Sequence, residues 1–415
     1  MKTIDEITGR IKNGTAAVYT ASQLKDLAMN GENVTADDVD VVTTGTFGVM
    51  SGTLAILHIP VADRGSFERA DRAWLNGVPA ATGPCPNERT GTVDLVVFGT
   101  SQADNSYGGG HLFRDIVSRL PVEVEIESRG RLFTRTVTLD DMGSARMVTT
   151  RSAFKNYSAF LNNRPGTVKT IFSVRGLSGP SGEISVSGCG DINPLQNDPA
   201  LDTIGVGTRI LLNGSPGYIM GQGTRSSRDR PNIAAFADMR KMIPDMMGGF
   251  ITSSGPECLT SVAIPIPVLD DEILSRLMVR NEDIPLPVAD ISNRAPFAAS
   301  HYGEVWNDTD PVITYSQDSC IRCDACEAAL YCPSGAITPG EGINPALCVN
   351  CGTCVNVCPG KAFMGNLGAM TIEGKKIPIT LRQSDRARAL RLCEYLKSLI
   401  LDNKFRITEK TEDLV

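Results

Sequence analysis

Eight of the twelve cysteines in this 415-residue chain crowd between Cys320 and Cys358, and their spacing constrains the fold more than any other feature. The first run reads Cys320-x2-Cys323-x2-Cys326-x5-Cys332-Pro333, and the second Cys348-x2-Cys351-x2-Cys354-x3-Cys358-Pro359. Two-residue gaps let one backbone loop present three thiolates to a shared centre. The fourth must come from elsewhere, and in two-cluster ferredoxins it comes from the other run. The spacing therefore predicts two [4Fe–4S] clusters in a ferredoxin-like module. One is expected on Cys320, Cys323, Cys326 and Cys358, the other on Cys348, Cys351, Cys354 and Cys332. The proline after each fourth cysteine donates no amide hydrogen bond and helps turn the chain away. Five residues precede Cys332 where three is commonest, which lengthens the loop without changing the ligand count. Zinc sites also use Cys-x2-Cys pairs, but two cysteine triplets each followed by Cys-Pro do not follow zinc-ribbon spacing. A disulfide framework would instead spread its pairs through a small secreted domain.

Such a module accounts for only a small part of the chain, whose length suits two or three domains. We expect a large N-terminal domain over 1–310, the two-cluster domain over 311–370, and a docking helix with its tail over 371–415. Strand-like runs such as Val93–Phe98 and Val122–Ile126 alternate with helical stretches such as Ala234–Met242 without a regular βαβ repeat, so the expected class is α+β, or irregular α/β. The segment 264–270 reads as extended and proline-stiffened, with a helix after it over Asp271–Val279. Residues 293–310 turn polar and read as a linker. In Ser384–Lys404 the apolar positions Ala389, Cys393, Leu396 and Ile400 fall at helical steps, so this helix should dock by one face with Cys393 as a small buried hydrophobe. Hydrophobic residues make up 41% and charged residues 21%, enough apolar material for a sizeable core. A net charge of −7 argues against a general nucleic-acid partner. No apolar run is long enough to span a membrane and the first residues lack a signal-peptide core, so a cytoplasmic location is expected. Oligomeric state, a homodimer included, is left open.

Cys85, Cys189 and Cys258 lie outside the cluster runs, in turn-like surroundings: Gly83-Pro84-Cys85-Pro86, Gly188-Cys189-Gly190 and Gly255-Pro256-Glu257-Cys258. Three readings stand for them. They are unrelated buried thiols; or two carry sulfur as a persulfide resolved through a disulfide; or all three hold a third [4Fe–4S] cluster with one open iron. His111, after the triple glycine 108–110, is the leading proton-transfer candidate of three histidines, although the same turn also suits a helix start. His58 reads as a core residue and His301 lies near the linker. The triple glycine lacks the spacing of a nucleotide-binding fingerprint.

Several stretches together resemble the archaeal homocysteine-biosynthesis domain: Val41–Gly48 (VVTTGTFG), Trp74–Ala80 (WLNGVPA), Asp191–Pro199 (DINPLQNDP), Thr203–Ile210 (TIGVGTRI) and Ile264–Asp270 (IPIPVLD). With the cysteine-rich module added, the chain resembles the methanogenesis-marker metalloproteins of that group. The resemblance implies an iron–sulfur-dependent sulfurtransferase that inserts sulfur reductively into an aldehyde. The substrate expected first is sulfoacetaldehyde, giving coenzyme M; the alternative is aspartate semialdehyde, giving homocysteine. The sequence departs from the homocysteine branch where Met50-Ser51 replaces a cysteine that follows the Gly-Thr-Phe-Gly turn, and Cys189 stands before Asp191-Ile192-Asn193-Pro194. A sulfonate offers only acceptors, so Arg209, Arg225, Arg228 and Arg230 are the candidate substrate cations. The partners implied are a small-molecule aldehyde, sulfide or another sulfur donor, and an external low-potential electron donor. A non-catalytic electron-transfer subunit is the competing reading from a different class.

Overall fold

A computed structural model describes residues 1–83, 86–155 and 157–414. Its frame is a 14-stranded mixed sheet in which the strand Val41–Val49 lies second from one edge. That strand pairs in parallel with Val18–Thr20 and antiparallel with the long strand Gly255–Pro267, in a register that sets Thr46 opposite Val262 and Gly48 opposite Thr260. Eight of its nine residues are buried, so both faces are covered and the strand lacks the alternation of a half-exposed one. Gly255–Pro267 continues through Pro265 and Pro267, matching the extended reading of this segment.

Alternation governs the outer strands. In Thr53–Pro60, Ala55, Leu57 and Ile59 point into the core, which turns His58 outward. His58 is therefore not the core residue expected; its Nδ1 lies 2.6 Å from Asp94 Oδ1 on the neighbouring strand, half-exposed. The expected helix at Ala234–Met242 is also replaced. Asn232–Asp238 is a strand between Ser215–Gln222 and Ser144–Phe154, followed by a 3-10 turn at Met239–Lys241. Two flanking strands satisfy its backbone, and that pairing outweighs the helix preference of its alanines. The helix after Asp270 spans Asp271–Leu277.

A second, six-stranded sheet draws on both sides of the cysteine-rich stretch. Its spatial order is Pro296–His301, Pro285–Asp290, Ala159–Leu161, Ile184–Val186, Lys375–Arg382 and Ala369–Ile372. The stretch expected as a linker thus holds the strand Pro296–His301 and the helix Gly303–Trp306. Tyr302, Val305 and Trp306 are buried there, which a solvated linker could not supply. Between these strands the cysteine-rich residues form two short ladders, Thr314–Tyr315 with Phe363–Met364 and Ile337–Thr338 with Gly342–Ile343, and two short helices, Glu327–Leu330 and Thr353–Val357. The whole is a mixed α+β, sheet-rich fold.

The C-terminal helix Arg386–Leu401 starts at Asp385, whose carboxylate accepts from Arg388 N–H at 2.9 Å, and runs through good helix formers without proline or glycine. Ala389, Leu392, Cys393, Leu396 and Ile400 are buried, as the period predicts. Each large apolar side chain buried there contributes roughly 1.5–3 kcal/mol. The helix also buries a charge. Arg388, 2% exposed, donates to the carbonyls of Pro345 and Ala346 at 3.0 Å and of Cys348 at 2.6 Å, and pairs with Asp385 at 3.3 Å. Arg382 does the same for the segments around it, donating to Asp310, Val305 and Leu367 carbonyls over the Trp306 ring. These two guanidiniums staple the cysteine-rich segment to the rest of the chain.

Candidate functional site

The eight clustered cysteines lie in two groups in the structure. Cys320, Cys323, Cys326 and Cys358 line one cavity of about 40 Å³ with Tyr315 and Phe363. Cys332, Cys348, Cys351 and Cys354 form the inner set. Burial raises the thiol pKa values of Cys348, Cys351 and Cys354, and Cys332 beside them raises them further. Backbone N–H groups already point at sulfur: Ala336 N lies 3.2 Å from Cys332 Sγ and Asn350 N 3.4 Å from Cys348 Sγ. Four thiols in the inner set, with amide donors to two of the sulfurs, suit a group held by soft thiolates. Among the described residues no three His, Cys, Asp or Glu side chains are grouped as ligands of a single metal ion.

The inner set touches the large sheet in two ways. Cys351 belongs to the same buried apolar cluster as Cys189, Phe47, Leu259 and Val349. Cys332 lines a cavity of about 740 Å³ between the cysteine-rich segment and the end of the hairpin formed by Gly248–Thr252 and Gly255–Pro267. The two walls are joined by a hydrogen bond from Ile251 N to Pro333 O at 2.7 Å.

His111 lines this cavity too. It sits in the first turn of the helix Gly109–Val117, the helix start that the triple glycine also suited. The reason for three glycines is steric. A Cβ on Gly109 would strike Phe98 O, and one on Gly110 would come within 2.6 Å of Gly248 O and 2.8 Å of Cys258 Cα. Burial lowers the His111 pKa to about 4, with the Asp104 charge pulling weakly the other way, so the ring is neutral at working pH. Its Nδ1 accepts from Gly108 N at 3.3 Å. The ring lies over Gly249, which is paired across the hairpin with Cys258. Cross-strand partners point to the same face, so His111 and Cys258 are neighbours under this helix.

Cys189 lies elsewhere. Its turn is held by Tyr302 OH donating to Ser187 O at 2.7 Å, Trp306 Nε1 donating to Gly188 O at 3.2 Å, and Arg386 Nη1 donating to Cys189 O at 2.5 Å. Arg386 also pairs with Asp191 at 2.7 Å. Among the described residues, Thr46 Oγ1 and Tyr157 OH, beside the thiol, are buried without a hydrogen-bond partner. Cys189 and Cys258 fall in different apolar clusters, and Cys85 lies outside the described residues. Burial pushes the Cys189 thiol up to about 11, eased by a hydrogen bond from the Phe47 backbone, and pushes Cys258 higher still. Both are protonated near neutral pH in this state. Cys393 is likewise fully buried, its Sγ against Gly45.

The four candidate arginines do not form one group. Arg225, Arg228 and Arg230 are exposed in the loop between Ser215–Gln222 and Asn232–Asp238. Arg209 packs over the Phe405 ring of the C-terminal tail, 4.9 Å from its centre. The cation facing Arg225 is Arg151, stacked on Phe154 and close to Glu257 and Tyr157. Sequence reasoning missed it, because an arginine within an alternating strand carries no local signal. It also missed Lys169, which lines the 740 Å³ cavity, and the buried Arg382 and Arg388. No helix among the described residues is long and apolar enough to cross a membrane.

Comparison with known proteins extends the geometry. An uncharacterized protein of Methanothermobacter thermautotrophicus is 46% identical over 407 residues, covering 97% of this chain and 94% of its own. A second uncharacterized protein, from Methanocaldococcus jannaschii, is 40% identical over 94% of this chain and 98% of its own. The L-aspartate semialdehyde sulfurtransferases of M. jannaschii and Methanosarcina acetivorans are 34% and 30% identical over 70% and 68% of this chain, and the match covers 58% and 57% of those enzymes. No solved structure matches. The sequence model described as homocysteine biosynthesis enzyme, sulfur-incorporation, matches residues 16–407, nearly the whole length. The chain therefore belongs to the homocysteine-biosynthesis, sulfur-incorporation enzyme family.

Proposed function

We propose that this protein incorporates sulfur reductively into a small aldehyde. The carrying observation is that Cys332, of the inner cysteine set, shares the wall of a substrate-sized cavity with His111. Two [4Fe–4S] clusters on the two sets, when bound, would supply single electrons at low potential. The balanced change is R–CHO + H₂S + 2e⁻ + 2H⁺ → R–CH₂–SH + H₂O. Sulfide adds to the carbonyl to form the C–S bond; loss of water breaks the C–O bond; two electrons and two protons reduce the C=S bond to the thiol. The electron count suits two one-electron carriers. The outer set lies beside the exposed Ile321, where an external donor can reach it, while Cys332 of the inner set faces the cavity and Cys351 the Cys189 cluster.

Aspartate semialdehyde is the substrate best supported, because the relatives with a named activity are L-aspartate semialdehyde sulfurtransferases. Sulfoacetaldehyde, giving coenzyme M, is the second reading, and a specific observation favours it. M. jannaschii carries both a named sulfurtransferase and a separate relative that matches this chain at higher identity and over nearly its full length. Two members in one organism suit two aldehydes.

The test is anaerobic protein reconstituted with iron and sulfide, given a low-potential reductant, sulfide and each aldehyde in turn. Homocysteine from aspartate semialdehyde supports the first reading and 2-mercaptoethanesulfonate from sulfoacetaldehyde the second. No thiol from either overturns the proposal, and stable capture by a larger redox complex would then favour an electron-transfer subunit.

A further inference from the structure

The 740 Å³ cavity has a chemical bias that the overall reaction does not require. Lys169 is the one charged side chain among its described lining residues, and no carboxylate lines it, although the chain as a whole carries a net charge of −7. A second cation stands just behind the wall: the Arg175 guanidinium stacks on the ring of Tyr331, 4.8 Å from its centre, and Tyr331 lines the cavity. A space of this size falls within the roughly 300–1,000 Å³ of small-molecule sites. Its charge selects for an anion.

His111 supplies the other half of a recognition pair. Among the described hydrogen bonds its ring uses Nδ1 alone, as acceptor from Gly108 N–H. An acceptor Nδ1 fixes the tautomer with its proton on Nε2. The ring cannot swing back, since it is seated over Gly249 with no room for even a Cβ between them. It also lines a smaller cavity of about 150 Å³ with Tyr107 and Arg114, and so stands as a partition between two spaces. A neutral imidazole that keeps its Nε2–H is a donor that can polarise a carbonyl without giving up its proton in the ground state.

We propose that this cavity is the binding site for an aldehyde bearing an acid group, with the carbonyl oxygen accepting from His111 Nε2–H and the anion paired with Lys169. Both aldehydes considered above carry such a group, a carboxylate in one and a sulfonate in the other. The inference deepens the sulfur-incorporation reading and rests on it for the choice of an aldehyde. Lys169 is a specificity residue here, because a neutral aldehyde has nothing to offer it.

Binding can be read without turnover. Succinic semialdehyde and propionaldehyde are titrated into the reconstituted, full-length protein by calorimetry, without sulfide or reductant. The C=O stretch of bound, ¹³C-labelled aldehyde is followed by infrared difference spectroscopy. Lys169→Gln is expected to weaken succinic semialdehyde binding roughly ten- to a hundredfold, the share of a charge-assisted hydrogen bond, and to leave propionaldehyde unchanged. His111→Phe is expected to return the C=O stretch towards its value in water for both aldehydes. His111→Gln, whose amide N–H can stand near Nε2, is expected to keep most of the shift. Equal loss of both aldehydes in Lys169→Gln, or an unshifted stretch in the wild type, overturns the site. Wild-type binding of both aldehydes that survives every variant overturns it as well. Failure of sulfur incorporation is separate: a wild type that binds as described but yields no thiol sinks the reaction and leaves the anion-selective aldehyde site standing.

Discussion

Replacing Gly188 by alanine probes the rigidity of the Cys189 turn. Gly188 has φ of +101°, and a Cβ there would land on the Tyr302 hydroxyl oxygen and 2.8 Å from Tyr157 Cδ2. Left-handed backbone costs an L-residue roughly 1–2 kcal/mol. Overpacking adds roughly 1–3 kcal/mol, since Tyr302 is 2% exposed and held by its bond to Ser187 O. The expected destabilisation is about 2–5 kcal/mol, from those two contributions together. Gly9 is the control: it lies inside the helix Ile4–Lys12, and among the described residues nothing outside its own helix backbone stands within 4 Å of its Cβ position. Gly9→Ala should stabilise by roughly 0.5–1 kcal/mol. Tyr302→Phe should cost about 1 kcal/mol for its hydrogen bond, but it removes the oxygen that the added methyl group strikes. The double variant should therefore be less destabilised than the two single changes summed. Urea unfolding of anaerobic protein, with midpoints compared at constant slope, measures all four. A Gly188→Ala variant as stable as the wild type, or a strictly additive double, would refute the packing described around Cys189.

Three further outcomes are expected. Cys332→Ala and Cys358→Ala should each lower iron by about half and leave the other set's absorption and EPR signal intact; unchanged iron in either would break the crossed ligand sets. Cys393→Ala should leave iron content and activity unchanged and cost about 1 kcal/mol for the small cavity, whereas loss of iron would make it a ligand. The pH dependence of stability carries a His111 signature. Its folded pKa of about 4 lies below the ordinary histidine value near 6.5, so the unfolded chain binds more protons between those values. Stability then falls as pH drops through this window, and His111→Gln should flatten that slope in urea midpoints measured at pH 7, 5.5 and 4.5; parallel slopes would contradict a buried neutral ring.

Legibility followed the range of the interactions. The C-terminal helix was readable because its period is local: Ala389, Cys393, Leu396 and Ile400 recur at helical steps, and each is buried. The same local reasoning failed at Ala234–Met242, where two flanking strands claim the backbone. His58 was misjudged because its apolar neighbours Leu57 and Ile59 point the other way on a pleated strand. The buried role of Arg388 was hidden for a related reason. Between apolar helix positions an arginine reads as solvated, yet three carbonyls of the Pro345–Cys348 loop meet it.

By itself the sequence determined the two cysteine runs and hence which thiols can share a centre, because ligand spacing along a short loop is set by local backbone geometry. It also carried the family membership, through stretches spread over most of the length. Only the tertiary structure decided that Cys332 and His111 share one cavity with Lys169, that Cys351 meets the Cys189 cluster, and that Cys189 and Cys258 part company. Those neighbours lie far apart along the chain, and their meeting depends on strand order and on which face each strand presents. Neither quantity is written in the periodicity of any single segment.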